Sequence, residues 1–453
     1  MFNILKQIAK YVSTFIGVIA LFIGSLYLVC LFGSEQLEVH AAESSQILNE
    51  QLDYPVLCYT LDVRNNNVTD AIIVNEIISV DHNNPYESAM KVRKNYRPGT
   101  TTVEVSDQVG EGMSACLDKS TGQEIVSTEV FNPLNELSQT VNKQLHTAIV
   151  YARYWHGYLV LYRPMMLWMN ITHMRYCLAA VFAGLFALAM YSFNWRFGRD
   201  VAFMFGASLL CSGYCFTCFS LQGAPVFLVL MVSTILLLRR LDKIRDFGLF
   251  IFVVGCCTCY FDYLTTPLLT LGILSAIYLL KQYNEGRSWS TCLKSLVSWA
   301  CLWLLGYAGT WICKWWLYDA TVNDSNNMVS VGLQQCLVRM AHQSSIVTPL
   351  NDNYLFITLI VLGLSSLCTM LLGVIVVALN QWNWTIKGFN KMALPFLVLA
   401  TFPIIWFIAL ANHTIGHYFY TYKIFAVYMI GVLLATHTLG TPQPNHGQDS
   451  NRI

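Results

Sequence analysis

Charge is what this sequence has least of. Only 12% of the 453 residues are Asp, Glu, Lys or Arg, whereas 55% are hydrophobic. A soluble globular domain carries about a quarter charged residues, so this scarcity is typical of a membrane protein. The net charge is +1 and no basic tract occurs, which excludes nucleic acid as an expected partner.

Metal-ligand spacing is lacking as well. Most of the 15 cysteines lie inside apolar runs, where a cysteine acts as a small packing residue. No CxxC motif has further His or Cys partners at zinc spacing, so we expect no structural metal site. Cys58, Cys116 and Cys336 fall in polar segments. A Cys58–Cys116 disulfide stays open if that side of the membrane is oxidising.

Long apolar runs dominate what is present. A helix needs about 20 residues to cross the hydrocarbon core, and about ten segments are that long or nearly so. Because lipid cannot hydrogen-bond exposed backbone groups, these segments are expected to be helices. The sequence therefore predicts a single all-α polytopic membrane domain over 1–453, whose first apolar run is retained rather than cleaved. The predicted spans are 12–33, 177–193, 201–221, 225–239, 247–263, 266–281, 295–317, 355–379, 393–411 and 424–439.

Basic residues collect in alternate loops, which sets the orientation. Lys6 and Lys10 precede the first span and place the N-terminus in the cytoplasm. Alternation then puts eleven basic residues of short loops on the same side and only Arg339 and Lys423 on the other. This bias predicts a cell-membrane protein with cytoplasmic N- and C-termini and an extracytoplasmic active face. The eleven are Arg196, Arg199, Arg239, Arg240, Lys243, Arg245, Lys281, Arg287, Lys294, Lys387 and Lys391.

Two long segments fall on the predicted outer face. The first extracytoplasmic loop covers 34–176, and its part 146–175 mixes aromatic, basic and aliphatic residues. We predict one or two interfacial helices in that part, broken at Pro164. The second outer loop covers 318–354. The polar tail at 440–453 is predicted to be disordered and cytoplasmic.

Three acidic residues of the outer face are candidate catalytic groups. Asp62 and Asp70 precede or begin a predicted helix of the first loop, which Thr69 or Asp70 would cap. A helix N-terminus can also hold a working carboxylate, so both roles stay open for Asp70. Asp262 lies at the outer end of the fifth span, where aspartate is costly near hydrocarbon and is often functional.

The segment 411–423, after the ninth predicted span, concentrates polar groups at the bilayer surface. His413 and His417 have the i,i+4 spacing that suits a metal on a helix, but no third ligand is evident. An interfacial belt of Tyr and Lys is the structural alternative, although two histidines and an asparagine are not typical of one. The polar members are Asn412, His413, His417, Tyr420 and Lys423.

Three further residues add positive charge to the same face. Arg153, His156 and Arg163 lie in the interfacial stretch of the first loop. A cationic cluster beside a membrane suits the phosphate headgroup of a lipid carrier. Arginines that snorkel to the interface are the structural alternative.

This arrangement resembles the GT-C-type membrane glycosyltransferases of bacteria, which use polyprenyl-phosphate-linked sugars. The family has a cytoplasmic N-terminus, one span, and a large outer loop with an essential acidic residue and interfacial helices. Here Asp70 would be that acidic residue, with Asp62 as competitor, and 153–164 resembles the aromatic and basic helices. The segment 412–423 is similar to the histidine and basic segment of related bacterial proteins. The family's acidic residue usually lies closer to the first span, often as an adjacent pair, and no such pair occurs here.

The resemblance implies inverting transfer of a hexosyl or pentosyl group from a polyprenyl-phosphate carrier to a cell-surface glycan, lipid or protein. It implies that three distant stretches meet above the outer leaflet around one anionic lipid head. The acidic candidates for catalysis are Asp70, Asp62 and Asp262. The candidates for binding the donor phosphate are Lys423, His413, His417, Arg153 and Arg163. The other substrate-binding candidates are Asn412, His156 and Tyr420.

Cofactor and competing functions stay open at this point. No metal-ligand set is assigned, although a divalent metal ion remains open as a cofactor. The rival function is a carrier, flippase or export partner for lipid-linked saccharides, and a third is an O-antigen ligase or polymerase-like enzyme. The middles of the predicted spans lack acidic residues, which favours the enzyme over the carrier.

Overall fold

The fold is built from helices, as the apolar composition predicts. A computed structural model describes residues 2–51, 53–58, 63–95, 115–117, 124–126, 132–145, 148–322, 327–340, 365–373 and 391–440. In these residues strands form only three two-stranded antiparallel ladders, all in the first loop, so the all-α membrane class is confirmed. The ladders pair β1 (Val56–Cys58) with β2 (Val63–Arg64), β3 (Arg93–Asn95) with β6 (Ala148–Val150), and β4 (Ala115–Leu117) with β5 (Glu124–Val126).

The helices of the first loop are short, and those of the bundle are longer. The first part of the chain forms α1 Phe2–Cys30, α2 Glu35–Glu50, α3 Asn67–Ile78, α4 Pro85–Lys91, α5 Pro133–Val141 and α6 Leu159–Met166. The bundle continues with α7 Ile171–Phe197, α8 Arg199–Cys211, α9 Ala224–Arg240, α10 Phe247–Phe261, α11 Leu268–Asn284, α12 Trp289–Thr321 and α13 Met328–Met340. It closes with α14 Leu394–Ala409, α15 Ala411–Gly416, α16 Tyr418–Thr421 and α17 Phe425–Gly440. Residues 365–373 are also helical, and 3-10 turns cover Tyr214–Phe219, Lys391–Ala393 and Tyr422–Ile424.

Five helical segments of the described residues are long and apolar enough to cross a membrane. They are Ile4–Cys30, Ile171–Phe197, Trp289–Thr321, Lys391–Ala409 and Tyr422–Leu439. The helices α8 to α11 fall on predicted spans but, at 13 to 17 residues, are shorter than these five segments. The 17 residues of α9 or α11 reach only about 25 Å at 1.5 Å per residue, against a core of about 30 Å. The five long apolar segments indicate that the chain is membrane-embedded. The number of ten spans stays a prediction, because 355–379 lies largely outside the described residues.

The interfacial stretch of the first loop differs from its prediction. Residues 148–150 form strand β6 rather than the start of a helix, because they pair with β3. The helix α6 begins only at Leu159, and the following long helix α7 already begins at Ile171. Pro164 lies inside α6, which ends two residues later; a proline in a helix interior removes a backbone hydrogen bond.

Two indole groups hold the turn 151–158 against α12. The Trp155 indole N–H donates to the carbonyl oxygen of Thr310 at 2.8 Å. The Trp315 indole N–H donates back to the carbonyl oxygen of Arg153 at 2.9 Å. Indole nitrogens need a partner when buried, so these bonds fix the turn as well as satisfy the rings. The polar residues of the turn are thereby placed at the end of the bundle.

Close packing of α10 on α12 sets the position of the turn that follows α10. A Cβ on Gly255 would lie 2.4 Å from the carbonyl oxygen of Trp303, and one on Gly306 would lie 2.3 Å from that of Phe252. Both glycines therefore permit a backbone approach that any side chain would block. The turn 262–267 lies at the end of this pair. It contacts the first loop through the hydrogen bond between the Tyr263 and Tyr158 hydroxyls, and Gly157 N donates to Tyr260 O of α10 at 2.9 Å.

Two buried cations tie the first loop to the helices. The Arg163 guanidinium donates to the carbonyl oxygens of Val29, Phe32 and Ile77. The Lys314 ammonium of α12 donates to the carbonyl oxygens of Ala89 and Met90 at 3.1 and 2.8 Å. These bonds satisfy carbonyl groups at the ends of α1, α3 and α4. We call the end of the bundle that carries the first loop, the turn 262–267 and the segment 411–423 the loop-bearing end.

Candidate functional site

Asp70 is enclosed at the loop-bearing end and is fully engaged. Its Oδ2 accepts a hydrogen bond from the Arg175 guanidinium at 2.8 Å, and its Oδ1 accepts one from the backbone N–H of Leu221 at 3.0 Å. Burial raises the pKa of Asp70, and the Arg175 charge and the amide hydrogen bonds oppose that shift. The same Arg175 nitrogen reaches Asn67 Oδ1 at 2.8 Å. Asp70 is thus half of a buried ion pair between α3 and α7.

The N-cap of α3 is Asn66, so the prediction that Thr69 or Asp70 caps this helix is wrong. Asn66 Oδ1 accepts from Thr69 N at 2.9 Å, as capping asparagines do. Asp70 lies in the first turn of the helix, where its side chain reaches Arg175 instead.

The first loop and the segment 411–423 meet through one glutamine. Asn66 Nδ2 donates to Gln222 Oε1 at 3.2 Å, and Gln222 Nε2 donates to the Tyr420 hydroxyl at 3.3 Å. Gln222 follows Leu221, whose amide binds Asp70. Asp70 and Tyr420, which are far apart in the sequence, are therefore bridged by two adjacent residues.

Asp262 shapes the turn after α10. Its Oδ1 accepts from Thr265 N and Thr265 Oγ1 at 2.8 and 2.6 Å, and its Oδ2 accepts from the Tyr307 hydroxyl at 3.5 Å. Burial raises the pKa of Asp262 to about 6, although these hydrogen bonds pull it down. His413 Nε2 lies 2.7 Å from the carbonyl oxygen of Leu264. A carbonyl only accepts, so this ring nitrogen carries a proton, and the turn of Asp262 contacts the segment 411–423.

The histidines and the lysine of that segment point in different directions. The His413 and His417 rings lie 4.7 Å apart, and His417 stacks on Tyr420. Lys423 instead points toward the 3-10 turn Tyr214–Phe219. Its Nζ lies 3.5 Å from Thr217 Oγ1 and 5.8 Å from the centre of the Phe227 ring. Among the described residues no group of three or more His, Cys, Asp or Glu side chains could hold a metal ion.

The remaining predicted residues occupy three kinds of place. Arg163 is bound to backbone carbonyls at the end of α1, and Arg153 lies with its guanidinium 4.8 Å above the Tyr151 ring and 3.0 Å from the Tyr151 hydroxyl. Burial lowers the pKa of Arg153 to about 10. His156 contacts α3 and the turn 262–267 rather than the segment 411–423. Asp62 and the side chains of Asn412, Cys58 and Cys116 lie outside the described part of the chain.

A buried carboxylate that the sequence analysis did not select lies at the centre of this region. Glu76 of α3 accepts from the hydroxyls of Tyr158 and Tyr263, and His156 Nδ1 lies 3.5 Å from its Oε2. The exposed fractions of Glu76, His156, Tyr158 and Tyr263 are 0%, 1%, 2% and 5%. We call these four residues the Glu76 cluster. Its signal in the sequence is weak, because a single Glu in an apolar run and YWHGY show no common spacing.

Comparison with protein-family models, with curated proteins and with solved structures finds no significant match for this chain. The established class is an all-α, membrane-embedded protein. Its loop-bearing end brings three distant stretches into contact and buries Asp70, Asp262 and Glu76 there.

Proposed function

We propose that this protein is a GT-C-type glycosyltransferase that moves a sugar from a polyprenyl-phosphate carrier to an acceptor, with inversion. One observation supports it above all: α3 contacts the turn 262–267, that turn contacts the segment 411–423, and Gln222 bridges this segment to the N-cap of α3. Gln222 links Asn66 to Tyr420, and His413 contacts Leu264 O. Such a junction combines acidic and cationic groups from distant parts of the chain, which is what transfer from a lipid phosphate requires.

The chemistry needs two protein contributions. A departing polyprenyl phosphate is a stable anion, so the enzyme must mainly accept the proton of the acceptor hydroxyl and stabilise the phosphate charge. Attack on the face opposite the phosphate inverts the anomeric carbon and needs no covalent enzyme intermediate. The acidic candidates are Asp70, Asp262 and Asp62. The cationic candidates are Lys423, His413, His417, Arg153 and Arg163.

The surroundings of the cations rank them for phosphate binding. Arg163 already donates to three backbone carbonyls, which suits a fixed structural role. Lys423 has a hydroxyl and an aromatic ring beside its ammonium. Lys423 is therefore our first choice for the donor phosphate, and the two histidines of its segment are the next candidates. Asn412, Tyr420 and His156 remain substrate-binding candidates.

Purified protein in lipid nanodiscs, given a set of polyprenyl-phosphate sugars and host envelope extract, tests the proposal. We expect sugar transfer by the wild type and a loss of about 100-fold or more in Lys423→Ala, since a preorganised charge at a departing anion contributes that much. The matched control is Lys10→Ala, whose ammonium pairs with Asp246 at the opposite end of the bundle. If the wild type moves labelled donor across proteoliposome membranes without turnover, it is a carrier and the proposal fails.

We also propose that the loop-bearing end is extracytoplasmic and that both termini are cytoplasmic. The support is the bias of basic residues in the short loops. Reporter fusions at the N-terminus and after α6 test this orientation. Activity of an externally folding reporter at the N-terminus would reverse it.

A further inference from the structure

The Glu76 cluster has more acceptors than protons. The Tyr158 hydroxyl contacts Glu76 Oε2, His156 Nδ1 and the Tyr263 hydroxyl, yet it has one proton to donate. The Tyr263 hydroxyl likewise faces Glu76 Oε2 at 3.2 Å and His156 Nδ1 at 3.4 Å. Burial and the neighbouring Glu76 raise the pKa of both tyrosines well above the usual value, so both hydroxyls stay protonated.

The histidine tautomer fixes where a further proton can go. His156 Nε2 lies 2.6 Å from the carbonyl oxygen of Tyr151, which can only accept. Nε2 therefore carries a proton, and Nδ1 of a neutral His156 is a bare acceptor facing the two hydroxyls. One added proton, on Glu76 or on His156 Nδ1, supplies the donor that the four groups lack. The cluster can thus exist with or without that proton while every hydroxyl remains hydrogen-bonded.

Backbone strain marks the same place. His156 has φ 57° and Leu264, next to Tyr263, has φ 63°. Val92, which directly precedes β3, has φ 39°. His156 belongs to the cluster and Leu264 adjoins it, and Val92 O accepts from the N–H of Tyr151, whose carbonyl oxygen bonds His156 Nε2. Such strain is usually kept where a side chain must be held in one position for function.

Positively charged side chains from three elements lie near the cluster. Lys94 from β3 and Arg153 from the turn 151–158 lie close enough to interact with it or with Tyr263, and Arg339 from α13 donates to the Tyr154 hydroxyl at 2.7 Å. Glu136 from α5 is the other carboxylate near Lys94. Enclosure of the cluster holds back water that would otherwise compete for the transferred proton.

We propose that the Glu76 cluster is the proton-accepting centre of the sugar transfer, in place of Asp70. This inference rests on the proposed function. The acceptor oxygen forms a bond to the anomeric carbon, and the bond from that carbon to the phosphate oxygen breaks, with its electron pair leaving on the phosphate. The acceptor's proton passes to the Tyr263 hydroxyl oxygen, and the Tyr263 proton passes to Glu76. Tyr263 is the member that joins the cluster to the turn contacted by His413.

Asp70 is less suited to this step. Both of its oxygens already accept a hydrogen bond, one of them from a guanidinium that would be left unpaired if Asp70 took up a proton. Glu76 receives its hydrogen bonds from hydroxyls, which can reorient when a proton arrives. The two carboxylates lie six residues apart on α3 and make a matched pair for experiment.

The first measurement needs no substrate. Infrared difference spectra of the purified protein, recorded over a pH titration, are compared for wild type, Glu76→Gln and Glu136→Gln. We expect a protonated-carboxyl carbonyl band that Glu76→Gln removes and Glu136→Gln keeps. A spectrum in which Glu76→Gln changes no titrating band overturns the proton-accepting centre, whatever the protein does to sugars.

The second measurement uses the transfer assay. We expect Glu76→Gln to lose about 100-fold or more in kcat with KM little changed, and to lose the acid-side limb of the pH profile, as removal of a proton acceptor does. Tyr263→Phe breaks the same path without removing a charge and should also lower kcat. The double variant Asp70→Asn with Arg175→Gln, which leaves no unpaired ion, should lose less kcat than Glu76→Gln. A loss as large as that of Glu76→Gln would return the proton-accepting role to Asp70 and overturn this inference.

Each outcome separates the two proposals. Wild-type protein that transfers sugar while folded Glu76→Gln and Tyr263→Phe are equally active overturns this inference and leaves the transferase standing. Wild-type protein that transfers nothing overturns the proposed function and with it the use of the proton in transfer. Thermal unfolding of every variant shows that lost activity is not lost fold, and Tyr158→Phe replaces Glu76→Gln if the latter does not fold.

Discussion

At the end of the bundle where α1 begins, the ion pair of Lys10 with Asp246 faces water, whereas at the loop-bearing end the pair of Asp70 with Arg175 is enclosed by protein. Lys10 pairs with Asp246 at 2.7 Å with half of its side chain exposed. Asp70 pairs with Arg175 at 2.8 Å with no exposure of the carboxylate. The two contacts have nearly the same length, and their surroundings give them different consequences.

The pKa values of Asp246 and Asp70 shift in opposite directions. Partial burial pushes the pKa of Asp246 upward, but the hydrogen bonds from Lys10 and Leu249 and the charge of Lys10 lower it below its usual value. Burial raises the pKa of Asp70 despite Arg175. A protein gains little stability by enclosing charge, so the enclosed Asp70–Arg175 pair indicates that the loop-bearing end is used for something else.

Breaking the enclosed pair should have the largest effect. Arg175→Met leaves the Asp70 carboxylate buried without its partner, which typically costs about 3–5 kcal/mol. Denaturant unfolding in detergent micelles measures the loss of unfolding free energy. The double variant Asp70→Asn with Arg175→Met should recover much of it. A loss below about 1 kcal/mol for the single variant would mean that water reaches Asp70.

Asp262 should make stability depend on pH. Its pKa in the folded state, about 6, lies above the ordinary value of 3.8, so the folded protein holds this proton more tightly. The contribution is fully present below pH 3.8 and is lost as the pH rises through 6. Asp262→Asn keeps an acceptor for Thr265 and cannot ionise. Relative to wild type it should gain up to about 3 kcal/mol between pH 4 and pH 8, at 1.36 kcal/mol per pKa unit.

The turn 151–158 should not tolerate a side chain at Gly157. An added Cβ would lie 2.4 Å from the Tyr260 ring and 2.5 Å from the Tyr260 carbonyl oxygen. We expect Gly157→Ala to cost about 1–3 kcal/mol through overpacking and to displace His156 and Tyr158. Gly184→Ala in α7 is the control, because nothing lies within 4 Å of its added Cβ. Equal melting temperatures for the two variants would contradict the packing.

The exposed pair should matter least. Lys10→Ala should change the unfolding free energy by at most about 1 kcal/mol, and less at high salt, because water already screens this contact. The same micelle titration with and without 1 M salt measures it. A loss of unfolding free energy as large as that of Arg175→Met would contradict the difference between the exposed pair and the enclosed pair.

The fold was predictable where it depends on composition. A helix occupies each predicted span that falls in the described residues, because lipid-facing backbone must bond within itself. Helix lengths were less predictable: α8 ends at Cys211 and is followed by a 3-10 turn, although the apolar run continues to Leu221. The strand β6 escaped prediction since its partner β3 is more than 50 residues away. Hydropathy contains no information on such pairing.

The candidate site was predictable in its members more than in its contacts. The sequence selected Asp70, Asp262 and His413 from their positions at predicted helix ends, and all three lie at the loop-bearing end. Arg175 was only the last residue of the stretch 146–175, and neither it nor Glu76 was selected as a candidate. Both form their key contacts with residues of other elements, so local spacing could not reveal them.

The hydrogen bonds from Arg163 to carbonyl oxygens at the end of α1 bear on the order of events during synthesis of the chain. Val29 O and Phe32 O receive their donor from a residue 134 and 131 positions later. A nascent chain inserts α1 long before that guanidinium emerges from the ribosome. The hydrogen bonds of Arg163 to these two carbonyls therefore form after α1 has been synthesised, so the insertion of α1 and this part of its anchoring are separate events.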